Sequence, residues 1–206
     1  MLEPLGYVWR KSYRCFDKKQ RDKTRIIGIG VAHYGEVHDV SLNVAIRFDA
    51  VEELINSAKG YITAREKART ATLGGELGNI ANGVWGSRSV REQGDVDAAL
   101  GELVPLLLEV GVSYMDRYED PHAAFAALAG DGREAWLISP IAHARASAAV
   151  AMALVLGKET AEIDALVEKK RRYLGDDWER KEFEGFLGAM ISSGRYSPGP
   201  RGSERS

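Results

Sequence analysis

In the segment VSLNVAIRF, residues 40–48, every second side chain is large and apolar. Val40, Leu42, Val44, Ile46 and Phe48 fall on one side; Ser41, Asn43, Ala45 and Arg47 fall on the other. So strict a period of two fits an extended strand with one buried face, the habit of antiparallel sheets. Just upstream, TRIIGIGVAH repeats the pattern with a difference. Ile27, Ile29 and Val31 share one face, while Gly28, Gly30 and Ala32 leave the other nearly bare. A bare strand face lets a helix or another backbone come close. KSYRCFDK is a third strand, and the short polar joints QRDK and YGEVH make the three a meander.

Asp49 and Glu52 stand in capping-box spacing before Val51, Leu54, Ile55 and Ala58, which predicts a helix from Asp49 to about Gly60. YITAREKARTA then reads either as its extension or as a loop. Residues 70–86, TATLGGELGNIANGVWG, hold five glycines. Asn82-Gly83 has the signature of a type I′ turn, so residues 73–81 and 84–90 are expected to form a second antiparallel pair. From Gly94 the period becomes helical. Asp95 caps a helix whose Val96, Leu100, Leu103, Leu107 and Val110 recur at three- and four-residue steps. Pro105 is expected to kink or split it, and Gly111 to end it. Further helices are expected after Asp120-Pro121, from Ser139-Pro140 to Leu156, from Thr160 to Tyr173 and from Asp176 to Ser192. The last three resemble a helical-hairpin array, without a repeated sequence signature.

The expected fold is therefore α+β, a single domain over residues 1–192. An antiparallel sheet of four or five strands with one packed helix fills residues 1–93, and a mostly helical half fills 94–192. The tail, 193–206, is rich in Ser, Gly, Pro and Arg and is expected to be disordered.

Several chemistries are disfavoured. A net charge of −2 gives no general attraction to nucleic acid. Cys15 is the only cysteine, so the chain has no internal disulfide and no CxxC metal site. The longest apolar run, residues 146–156, is too short to span a bilayer and reads as a buried helix; with no apolar leader at the N-terminus, a cytoplasmic protein is expected. Gly30 to Gly35 has the glycine spacing of a phosphate loop, but Glu36 occupies the lysine position. Gly28-x-Gly30 continues into strand, where a dinucleotide fingerprint needs a helix. The glycines of 70–86 read as shaping the chain path, so no cofactor is expected.

Among the titratable groups, His33 and His38 flank Glu36, yet residues five apart on a hairpin need not converge, so no metal site is assigned. Asp116, Glu119 and Asp120 read as favouring the positive end of the helix that Pro121 begins. Lys169 to Arg172 read as partners of Glu162, Asp164 and Glu168 on neighbouring turns. No GxSxG elbow is present. The candidate protein-binding residues are Trp85, Arg88, Trp136 and Trp178, because Trp and Arg dominate interface hot spots.

The order of these segments resembles a bacterial family of domains of unknown function. Gly6, Tyr7, Arg10, Lys11, Phe16 and Lys18 stand where the family has its opening basic–aromatic strand. Thr72, Gly74 and Trp85 stand where it has a Thr-x-Gly followed by Trp. The likeness covers roughly residues 5 to 115. Some relatives of this kind are regarded as immunity proteins encoded beside bacterial toxins. The resemblance thus implies a non-enzymatic protein that binds another protein, a toxin being the partner in the narrower form. Two alternatives stay open: an enzyme assembling His33, Glu36, His38 and Asp116, and an adaptor whose terminal helices bind peptides.

Overall fold

A computed structural model describes residues 2–199 and has the α+β architecture. The strands are β1 (Val8–Arg10), β2 (Cys15–Gln20), β3 (Lys23–Tyr34), β4 (Val37–Phe48), β5 (Leu73–Glu76) and β6 (Arg88–Val90). They form one antiparallel sheet of order β1-β2-β3-β4-β5. β6 shares the outer edge of β4 with β5: β5 pairs with residues 43–46 and β6 with residues 38–40. Among the described residues the sheet thus has six strands, against the four or five that the sequence predicts.

The period-two reading holds from Leu42 to Phe48 and fails at the start of the segment, where Val40 is half-buried and Ser41 is buried. Leu42, Val44, Ile46 and Phe48 are buried, and the residues between them are half-buried. On the bare face of β3, the nearest neighbours of Gly30 come from the adjacent strand and not from a helix. The cross-strand Ser41 hydroxyl fills that space, 2.6 Å from where a Cβ on Gly30 would stand.

The helices are α1 (Asp49–Ser57), α2 (Ala64–Lys67), α3 (Leu77–Asn82), α4 (Gln93–Leu106), α5 (Val112–Tyr118), α6 (Pro121–Ala129), α7 (Arg133–Ile138), α8 (Ala142–Val155), α9 (Thr160–Tyr173) and α10 (Asp177–Ser192). α1 ends before Gly60, and its capping box is absent. Asp49 bonds Arg47 and Lys19 instead, and Glu52 accepts the Thr72 hydroxyl. The ambiguous segment after it forms the single turn of α2, started by a capping box between Thr63 and Glu66.

Two expectations built on glycine fail for one reason: a glycine can serve packing or a helix end as readily as a hairpin. The predicted pair 73–81 with 84–90 does not form. Residues 77–82 are α3, and Gly83 at φ +78° is its left-handed C-terminal residue. Gly111 does not end a helix either. The chain runs from α4 through a π turn, Leu107–Gly111, into α5. A Cβ on Gly111 would stand 2.8 Å from Leu107 and 3.1 Å from Val44, so this glycine lets the rod lie against β4. Pro105 lacks the N–H of a regular turn, and the π turn follows it directly.

α8 is buried from Arg145 to Ala153 and packs against α1, α6, α9 and α10. It is the axis of the helical half, which is therefore a cluster about one helix and no hairpin array. One apolar core runs from the sheet through these helices. Two cations lie inside it. Lys170 donates to the carbonyls of Ala129 and Gly130 at the end of α6 and to Asp131, and Arg145 bonds the carbonyl of Ser139 beyond α7. Positive charge at helix C-termini is favourable. The basic run on α9 is thus tied across helices, with Arg171–Glu168 as its one pair along the helix among the described residues.

The expected disorder of the tail is corrected for 193–199. Tyr196 is buried with its hydroxyl on Asp164, and Gly199 N–H donates to the same carboxylate at 2.9 Å. The rest of the tail, 200–206, lies outside the described residues.

Candidate functional site

The glycine-rich segment builds the site. Glu76 ends β5 and precedes α3, and its carboxylate turns back onto the main chain. One oxygen accepts from Gly78 N–H at 3.0 Å. The other accepts from Asn79 N–H at 2.9 Å and Gly86 N–H at 3.2 Å. These are the amides a phosphate would need, and an internal carboxylate occupies them. The glycines allow the close approach this requires: a Cβ on Gly78 would stand 2.6 Å from the backbone of Gly86. The loop is thereby pinned, and Trp85 with it.

Trp85 stands at the mouth of a cleft of about 710 Å³. β5 and the end of β4 form one wall, α1 and residues 70–72 another, and the start of α8 with α10 a third. Small residues carve it: Ala45, Gly74 and Gly75 from the sheet, Ala144 and Ala148 from α8, Gly185 from α10. Exposed at its mouth are Tyr61 (74%), Trp85 (61%) and Ile141 (56%).

The polar groups of the cleft differ in how far they are engaged. Glu52 is buried, takes the Thr72 hydroxyl at 2.9 Å, and lies 3.9 Å from the Arg47 guanidinium. The Thr72 oxygen in turn accepts from Phe48 N–H at 3.0 Å. His143, in the first turn of α8, has a buried Nδ1 with no hydrogen-bond partner among the described residues. Burial holds its pKa below the ordinary value, against the pull of Glu179 and Glu182. Burial and the neighbouring Glu182 raise the Tyr61 phenol. Lys59 and Lys181 line the cleft, and neither makes an ion pair among the described residues.

The sequence-predicted residues scatter. Trp85 lines the cleft. Trp178, 59% exposed, sits edge-on to the His143 ring with centroids 4.6 Å apart. Trp136, 42% exposed on α7, is outside the lining, as is Arg88, which bonds Glu102 at 2.6 Å and the carbonyl of Ser87. The assembled catalytic site is not formed. Asp116 pairs with Arg25 at 2.6 Å, whereas His33 lies eight residues further along β3, roughly 26 Å away in an extended strand. Glu119 binds the same arginine, so of the three carboxylates assigned to the start of α6 only Asp120 caps it, accepting from His122 N–H at 3.0 Å. His33 and His38, which need not converge on a hairpin, do so here: their Nδ1 atoms are 2.8 Å apart.

Sequence reasoning missed Glu76 and Tyr61 as site residues, and named Glu52 and Thr72 for other reasons, as a helix cap and as a motif residue. The one available signal was a lone glutamate inside a glycine-rich run. Comparison with protein-family models, with curated proteins and with solved structures finds no match to this chain. No helix among the described residues is long and apolar enough to cross a membrane.

Proposed function

We propose that the chain is a non-enzymatic binding protein whose cleft takes a short apolar segment of a partner protein. The observation that carries this is the exposure of Tyr61, Trp85 and Ile141 together at the mouth of one cleft. Large apolar side chains gathered at a concave site mark recognition surfaces. The state of the carboxylates supports binding over catalysis: Glu76 is bonded to three main-chain amides and Glu52 to a hydroxyl. The cleft's carboxylates are engaged, Glu52 and Glu76 by hydrogen bonds and Glu182 by the Tyr61 phenol. Lys59 and Lys181 make no ion pair among the described residues, which favours a segment that carries an acidic residue beside its apolar ones. Because α8 and α10 supply a wall, this reading joins the protein-binding and helical-adaptor alternatives. A bacterial toxin as partner is the narrower form, and it rests on the sequence resemblance alone.

Selection of a random displayed peptide library on the purified chain tests the reading. Enriched sequences should combine aromatic or aliphatic residues with Asp or Glu, and their binding should fall at least tenfold in Trp85→Ala and in Ile141→Glu. Enrichment unaffected by both substitutions refutes it.

A further inference from the structure

The tip of the β3–β4 hairpin carries a second constellation, far from the cleft. Asp49 N–H donates to Asp22 C=O at 2.9 Å, one step beyond the last registered pair of β3 and β4. Closely bonded pairs then recur at every second position, and His33↔His38 falls in the other set. Directly opposed residues in that set have Cα atoms only about 4.5 Å apart, so their side chains meet most closely. The tight turn at Gly35, φ +66°, holds the register. The outcome is the 2.8 Å Nδ1···Nδ1 contact, with ring centroids 4.7 Å apart and planes at 80°.

We propose that His33 and His38 form a two-point chelate for a divalent ion of square-planar or octahedral habit, the class of Cu²⁺ and Ni²⁺. Imidazole–metal bonds of about 2.0–2.1 Å at a right angle require roughly 2.8–3.0 Å between the two nitrogens. Tetrahedral legs of that length require about 3.3 Å. The contact holds the two Nδ1 atoms 2.8 Å apart, so closing the rings onto an ion asks for little separation at the right-angle bite and for more at the tetrahedral one. Without metal, one Nδ1–H donates to the other Nδ1. On ion binding the donor ring changes tautomer, its proton passing through solvent from Nδ1 to Nε2, and rotation of the exposed His33 ring and the half-buried His38 ring turns both Nδ1 lone pairs onto the ion. Asp39 is engaged by the Ser89 hydroxyl at 2.7 Å, and the described residues hold no cluster of three metal-ligating side chains. Water fills the remaining positions, which makes this an open site able to accept a further donor.

Titration calorimetry with CuCl2 and NiCl2 on tag-free protein in a non-coordinating buffer tests the proposal, with electron paramagnetic resonance of the copper complex. One ion per chain should bind, with nitrogen hyperfine structure from two imidazoles. His33→Gln and His38→Gln should each weaken binding at least tenfold and remove that signature, while His122→Gln leaves both unchanged. Circular dichroism confirms the fold of each variant. Wild-type affinity in the double variant, or a copper spectrum unchanged by it, overturns the proposal.

Discussion

Replacing Glu76 by alanine tests how the glycine-rich loop is held. The substitution deletes one carboxylate and strands three amide donors. A hydrogen bond to a charged group contributes about 1.5–3 kcal/mol, and a buried donor left without a partner costs about 1–3 kcal/mol. The Gly78 contact is buried and takes the full penalty; those of Asn79 and Gly86 are part-buried, and water replaces much of what they lose. The sum is about 3–5 kcal/mol, a large share of the roughly 5–15 kcal/mol that stabilises a typical domain. Glu76→Gln keeps one acceptor oxygen and sets an NH₂ against a donor, so about 1–3 kcal/mol is expected. Urea unfolding of the three proteins gives the free energies, and hydrogen exchange at the Gly78 and Gly86 amides locates the effect. Inorganic phosphate should leave the midpoint of the wild type where it is. An alanine variant within about 0.5 kcal/mol of wild type refutes the reasoning, as does stabilisation of the wild type by phosphate acting at these amides.

Other consequences are independent of the loop. Lys170→Met removes a buried cation while leaving Asp131 and two helix-end carbonyls behind; with Lys169 still on Asp131, it should cost about 3 kcal/mol in urea unfolding. Burial lowers Lys170 despite Asp131; burial raises Asp131, but the two lysines outweigh it and hold its pKa below the ordinary 3.8. The Asp131 contribution is therefore present above about pH 4 and lost on acidification below it, and Asp131→Asn should flatten that part of the stability–pH curve. The His143 pKa lies below its ordinary 6.5, so the folded state resists its protonation. Stability should fall as pH drops below about 6.5, less steeply in His143→Gln, as thermal melts between pH 7.5 and 5 would read. Gly111→Ala presses a methyl onto Leu107, Val44 and Leu77 and should destabilise by about 1–3 kcal/mol, whereas helix propensity alone predicts a gain.

What could be read from the sequence and what could not divides along the range of the deciding interaction. β4 was legible because alternation is a local property, and burial follows it from Leu42 to Phe48. α9 was legible to the residue, since its period lies within it. Residues 73–90 were not. Asn82-Gly83 offers a left-handed residue that serves a hairpin or a helix end equally, and the choice is made by Glu76 reaching Gly86 ten positions on. The convergence of His33 and His38 depends on register, which β4 sets and the two histidines do not. The cleft itself joins Glu52, Thr72, Trp85, Ile141 and Lys181, drawn from five separate stretches of chain. Only Trp85 among them was a candidate binding residue; Thr72 entered as a motif residue without a role, and Glu52 as a helix cap.

Hydrogen–deuterium exchange of the chain with and without a peptide selected on it tests the binding account most directly. Protection is expected at residues 59–61, 70–76, 84–86, 139–148 and 181–186, the stretches that enclose the cleft. Protection confined to the hairpin tip or to β1, with these stretches unchanged, would contradict it.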